Sequence, residues 1–245
     1  FKLDKLLKVP HAKKPHLAFG TAVHAALESF YLKLKDDGQR PAKSYLLTSF
    51  ASALAKEVMS REDLTLRLAQ GERVLSAYYD LHQDDFGEPL FLEKFFRVHM
   101  DNVTLTGKID RVEWIDQADR TVRVVDYKTG KGKSMGEING DTKSSRGDLQ
   151  RQLVFYRLLL DLDTRLNNVT FGEAVLDFVQ EPADQGKDGR RTLSVKTQEV
   201  EELKTVIKQV MADIRALHFP RTTDYSICAK CYFQDHCWPS GIPTA

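Results

Sequence analysis

Cysteine is nearly absent: the 245 residues contain three, all inside CAKCYFQDHCW at 228–238. So small, odd and clustered a set argues against a disulfide framework and fits a metal in a reducing cytosol. No run approaches the ~18 apolar residues of a membrane-spanning helix, and no charged-then-apolar leader marks a secreted chain. Neither sign of charge dominates, with 36 Lys and Arg against 35 Asp and Glu. Bulk charge therefore argues neither for nor against a nucleic-acid partner. Repeats and low-complexity tracts are missing too. The chain begins at Phe1 rather than Met, so it is expected to be a fragment of something longer.

What is present has ordinary globular proportions, 42% hydrophobic and 29% charged, at a length suiting one large domain or two small ones. TAVHAALESFYLKL at 21–34 spaces its apolar residues as a helix does, with Gly20 or Thr21 as its start. Two further helical patterns follow at 43–58 and 61–83. The period then shortens to two: LFLEKFFRVHM, VTLTGKIDRVEWI and TVRVVDYKT predict an antiparallel meander over 90–128, turning at Asn102 and at Gln117 to Arg120. A Gly-, Ser- and Lys-rich stretch at 129–147 is expected to be a mobile loop. A helix at 148–163, a strand at 171–179, a loop at 181–191, the short strand TLSV and a long amphipathic helix at 197–217 complete the order. This succession predicts an α/β domain around a small mixed sheet.

The chemistry concentrates in GKIDRVEWIDQADRTVRVVDYKTGK, residues 107–131. Folding the strands back at 117–120 brings Asp110 near Asp126, and period-two alternation puts Asp126 and Lys128 on one face. Two carboxylates and an ammonium are costly to desolvate together unless a cation compensates them. Hard oxygen ligands suit Mg²⁺ or Mn²⁺. Read singly, an acid-x-Lys pair is a surface ion pair, His24 a surface or core histidine and Tyr156 a core aromatic.

In order, GTAVHAALE, GKIDR, VVDYKTG and QLVFY resemble the RecB-like branch of the PD-(D/E)XK nuclease superfamily, over about residues 19–160 plus the cysteine tail. The resemblance implies a restriction-endonuclease-like α/β core, a small mixed sheet flanked by helices. It further implies one nuclease domain over 1–245, with a helical portion at 1–88, the core at 89–217 and the tail at 218–245. His24 matches the histidine metal ligand, Asp110 the first carboxylate, and Asp126 and Lys128 the acid-x-Lys pair. The Tyr127 carbonyl would complete the metal shell. Gln152 and Tyr156 match the QxxxY motif, and their i, i+4 spacing sets both on one helix face. Glu93 opens the preceding strand, as a supporting or second-metal residue or as a solvated glutamate.

The implied activity is Mg²⁺- or Mn²⁺-dependent DNA hydrolysis, exonucleolytic rather than endonucleolytic, in a cytoplasmic protein carrying or joining a helicase for recombination or repair. Alternatives are a catalytically silent DNA-binding module of such a machine and a standalone CRISPR-associated exonuclease. DNA contact would come from Lys131, Lys133, Lys143 and Arg146 on the loop, with Arg190 and Arg191 on a second basic loop. In iron–sulfur members of the branch, a C-terminal triplet such as Cys228, Cys231 and Cys237 joins one upstream cysteine around a 4Fe–4S cluster. Here that fourth cysteine would lie before Phe1. Zinc with His218, or less readily His236, is the competing reading, and free thiols the third.

Overall fold

The computed structural model describes residues 14–143, 145–218, 222, 224–229 and 234–242, without the side chain of His236. Two compact units emerge, Phe1–Leu203 and Lys204–Ala245.

The first unit opens with three helices: α1 (Pro15–Asp37), α2 (Lys43–Leu54) and α3 (Arg61–His82). Helix α1 starts ahead of the Gly20 or Thr21 expected, because Pro15 occupies its first turn. There the missing N–H costs nothing and the fixed φ is already helical. Gly38 ends α1 at φ 63°, and its N–H bonds the Leu34 carbonyl. Ser60 caps α3 by accepting from the Asp63 N–H. The three helices bury Phe19, Leu27, Phe30, Phe50, Val74 and Tyr78 against one another, against Val125, Tyr127 and Val175 of the sheet, and against Val179 just past β4.

Strands β1 (Pro89–Met100), β2 (Val103–Asp116), β3 (Thr121–Lys128), β4 (Thr170–Phe178) and β5 (Arg190–Leu193) form a five-stranded sheet in sequential order. The predicted meander is present, with antiparallel β1–β2 and β2–β3 pairs; β3–β4 is parallel and β4–β5 antiparallel. Asp101 turns the first hairpin at φ 52°, a conformation Asp tolerates better than most residues. Asp116 Oδ1 accepts from the N–H groups of Ala118 and Asp119 to close the second turn. The β3–β4 crossover carries α4 (Met135–Asn139) and α5 (Asp148–Leu162). So 129–147 is not all loop. Ser134 and Glu137 form a reciprocal capping box, and Ile138 is fully buried.

The 181–191 loop also needs correcting. It contains α6 (Glu181–Gln185), and Arg190 and Arg191 lie on β5 rather than on a basic loop. Both are ion-paired, Arg190 with Asp188 and Asp85, Arg191 with Glu181, so their charge is already compensated. Helix α7 (Thr197–Arg215) follows, and in the second unit come the single turns α8 (Tyr225–Cys228) and α9 (Gln234–Cys237).

The sheet forks. β2 and β3 pair from Asp116 opposite Thr121 to Arg111 opposite Val125. Past that point β2 stays with β1 down to Val103, while β3 stays with β4 through Lys128 opposite Phe178. Asp110 and Asp126 stand at the parting. Beyond the last ladder pair, the Tyr127 N–H donates to the Asp110 carboxylate at 2.8 Å.

The strands also reverse phase here. On β3, Val125 and Tyr127 join the α1–α3 core while Asp126 bonds to α5, so the two helical layers cover opposite faces. On β2, Gly107 lies against Phe155 and Leu159 of α5, yet Arg111 stacks on Tyr31 of α1 with 4.1 Å between guanidinium and ring centre. Residues an even number apart share one face of a regular strand. These two do not. Facing the reversal on β1 is Glu93, whose φ of 44° is rare for a side-chain-bearing residue and marks local backbone strain.

Candidate active site

Within the fork, His24 of α1 reaches Asp110 and Glu93. Its Nδ1 stands 3.4 Å from Asp110 Oδ1 and 3.7 Å from Glu93 Oε1. One ligand atom from each of the three residues falls within 4.8 Å of the others, a spacing that can hold a metal ion. Burial alone would lower the His24 pKa, but hydrogen bonds to Asp110 and Glu93, reinforced by their charges, raise it to about 10. The proton on the ring thus does the electrostatic work a cation would do. Glu93 therefore does more than open a strand: it is the fifth residue of β1, and its reversed backbone accompanies a carboxylate placed beside His24.

Lys108 Nζ lies 2.5 Å from Glu93 Oε2. Sequence reasoning missed it, although its place two residues before Asp110 was a usable signal. Glu28, one turn beyond His24 on α1, was missed as well. Both line a cleft of about 740 Å³ together with Gly20, Thr21, Thr129 and Gly130. A Cβ on Gly20 would stand 3.0 Å from Thr129 Oγ1, so glycine lets α1 approach the end of β3 closely.

Asp126 sits outside the three-residue group and is held from the α5 side. Its Oδ1 accepts from Gln152 Nε2 at 2.9 Å and from the Tyr156 hydroxyl at 2.8 Å. Gln152 also donates to that hydroxyl, and its Oε1 accepts from Lys128 Nζ at 2.8 Å. The i, i+4 pair on α5 thus grips both members of the acid-x-Lys pair, which do share a face. Lys128 Nζ is 2.6 Å from Asp126 Oδ2, but no hydrogen-bond partner is aligned with that buried oxygen among the described residues. Burial pushes the Asp126 carboxyl up, Lys128 opposes the rise, and the charge of Asp110 adds to it. Tyr156 keeps its proton well above the usual phenol range, chiefly through burial and then the Asp126 charge.

Tyr127 points away from this side. Its ring meets His24 edge-on, and its hydroxyl accepts from Arg111 Nη1 at 2.7 Å. Arg111 also pairs with buried Glu113, 3.1 Å from Nε. Nearby, fully buried Asp177 accepts from the Tyr78 hydroxyl at 2.6 Å. Burial raises its carboxyl to about 6, against the lowering by that hydrogen bond and by Arg111. This polar layer beneath the fork was not foreseen.

Of the four predicted DNA-contacting cations, Lys131, Lys143 and Arg146 are exposed, and Lys133 pairs with Glu137 at 3.0 Å. In the second unit Cys228 is buried and Cys237 half-buried, both as free thiols. Cys231 lies outside the described residues, as does the side chain of His236. His218 stands exposed beside Asp213, 3.3 Å away.

The donor set suits a hard divalent cation: carboxylate oxygens and one imidazole. The family model described as "PD-(D/E)XK nuclease superfamily" matches residues 1–238. No curated protein matches the chain. Among solved structures, the fold resembles the crystal structure of a "Putative exonuclease" from Eubacterium rectale. That similarity has a TM-score of 0.53 and 12% identity, over 99% of this chain and 82% of the other.

Proposed function

Because the chain belongs to the PD-(D/E)XK nuclease superfamily, we propose that it is a Mg²⁺- or Mn²⁺-dependent deoxyribonuclease, acting from DNA ends. The observation carrying this reading is the meeting of His24, Glu93 and Asp110 in the fork, within 4.8 Å of one another. Exonucleolytic action is the finer part, supported by the name of the Eubacterium rectale neighbour.

His24, Glu93 and Asp110 would hold the cation, with Asp126 and the Tyr127 carbonyl completing its shell. When bound, a divalent cation supplies Lewis acidity and a water of lowered pKa. The protein's own groups do the rest. Gln152 and Tyr156 fix the Asp126 carboxylate and, through Gln152 Oε1, the Lys128 ammonium. Lys128 then presents positive charge from a preorganised position, where it offsets charge developing on a phosphate oxygen. Helix α1 supplies one wall of the cleft. Among the described residues, no serine or cysteine lines the cleft.

Lys131, Lys143 and Arg146 are proposed to meet DNA phosphates beside this cleft. Membership in the RecB-like iron–sulfur group, a helicase partner, a cluster on Cys228, Cys231 and Cys237, and a cytoplasmic location complete the proposal. They rest on the sequence motifs.

The test uses labelled single- and double-stranded DNA with Mg²⁺, Mn²⁺ or chelator, and Lys128→Ala beside the unaltered protein. Cleavage that needs metal and falls at least a hundredfold in the variant is expected. Cleavage in chelator, or an undiminished variant, would refute it.

A further inference from the structure

Among the described residues, one face of the β1–β2 hairpin is left bare. Phe95, Arg97 and His99 of β1 are exposed, opposite exposed Lys108, Thr106 and Thr104 of β2. Helices α1–α3 reach only the other end of these strands, and α5 lies behind Gly107. Phe95 is 61% exposed. A solvated edge strand gains from charge and gains nothing from an uncovered phenyl ring. No acidic side chain stands among these six positions, and Arg97 has no ion-pair partner among the described residues. Lys108, which closes the row, is the residue ion-paired to Glu93 in the cleft. The bare face therefore runs into the candidate active site.

The outer edge of β1 continues the same character. A cleft of about 350 Å³ there is lined by Phe95, Arg97, His99 and Arg165 among others. Its acid, Asp163, is buried and already paired with Arg165 at 2.6 Å.

We propose that this hairpin face is a binding track for single-stranded DNA leading to the cleft, with Phe95 stacking on a base and Arg97 contacting phosphate. It rests on the nuclease reading for direction and adds the substrate class. Phe95 is two residues, about 7 Å at strand rise, from Glu93. At ~3.4 Å per stacked nucleotide, that places the stacked base one or two nucleotides from the metal group. In a duplex the neighbouring base pairs cover the face that stacks, so the track selects unpaired strands.

Binding decides it, measured in chelator so that hydrolysis plays no part. Fluorescence anisotropy of labelled oligothymidine should show about fivefold or greater weakening for Phe95→Ala, the effect of losing one base–aromatic stack. Phe95→Trp should restore affinity. Arg97→Ala should flatten the dependence of log Kd on log salt by about 0.7, one phosphate's worth on a single strand. A 2-aminopurine probe should lose its stacking quench in Phe95→Ala. Lys56→Ala, a cation off this face, serves as the control for unspecific charge loss, and melting temperatures confirm that each variant folds. Unchanged single-strand binding in Phe95→Ala, or equal weakening on blunt duplex, overturns the proposal. Failure of the nuclease reading shows separately, as absent metal-dependent cleavage by the unaltered protein.

Discussion

Metal binding in the fork should expel a proton from His24. The ring has a pKa raised to about 10 because two carboxylates face it, so at pH 7 about one molecule in a thousand carries it neutral. A cation bound by the imidazole needs the neutral form. Three units at ~1.36 kcal/mol each put the cost of deprotonation at about 4 kcal/mol of metal affinity at pH 7, shrinking as pH rises. The stability consequence has the same sign. A folded-state pKa above the unfolded 6.5 stabilises the metal-free fold below about 6.5, and that contribution is lost as pH rises through about 10. Calorimetric titration with Mn²⁺ in two buffers of different ionisation enthalpy reads the proton directly. About one proton released per ion at pH 7 is expected, with affinity rising roughly tenfold per pH unit between pH 7 and 9. His24→Gln should bind with no such release and a flat pH profile. Buffer-independent heats in the unaltered protein, or the same release from His24→Gln, would refute the reasoning.

Two further predictions concern the framework. Buried Asp177 has its pKa raised to about 6 from 3.8, so its contribution to stability is present below about 3.8 and lost as pH rises through about 6. Asp177→Asn keeps an acceptor for Tyr78 and should gain about 3 kcal/mol on the unaltered protein between pH 4 and 7 in urea melts; parallel pH profiles would show that Asp177 is not titrating there. Gly71→Ala on α3 should cost about 1–3 kcal/mol and lower the melting temperature, because its Cβ would stand 2.1 Å from the Phe50 ring. An unchanged melting temperature would mean that α2 and α3 pack less tightly than described.

Local pattern carried far. Apolar spacing placed α2, α3 and α5, and alternation placed β1 to β4 within a few residues, because each rests on a periodicity written into consecutive residues. Among the shortest elements, α4 and α6 escaped and β5 was expected two residues late, at TLSV, since so few residues cannot display a period. Their order depends on Ser134 meeting Glu137 and on Arg191 meeting Glu181.

The sequence alone determined which residue types could do metal-assisted chemistry, and its ordered motifs pointed to the superfamily that the family comparison then showed. Asp126 and Lys128 sharing a face, and Gln152 and Tyr156 one helix turn apart, were legible because strand and helix periods are local. Tertiary structure decided the rest. Only the parting of β2 from β3 puts the Asp110 carboxylate on the Tyr127 N–H. The left-handed backbone at Glu93, and a phase reversal that period-two counting excludes, accompany the meeting of Glu93, Asp110 and His24. These are contacts between residues 17 or more positions apart. They exist because two helical layers pull alternate side chains to opposite faces of a sheet whose β2 and β3 part where Asp110 and Asp126 stand.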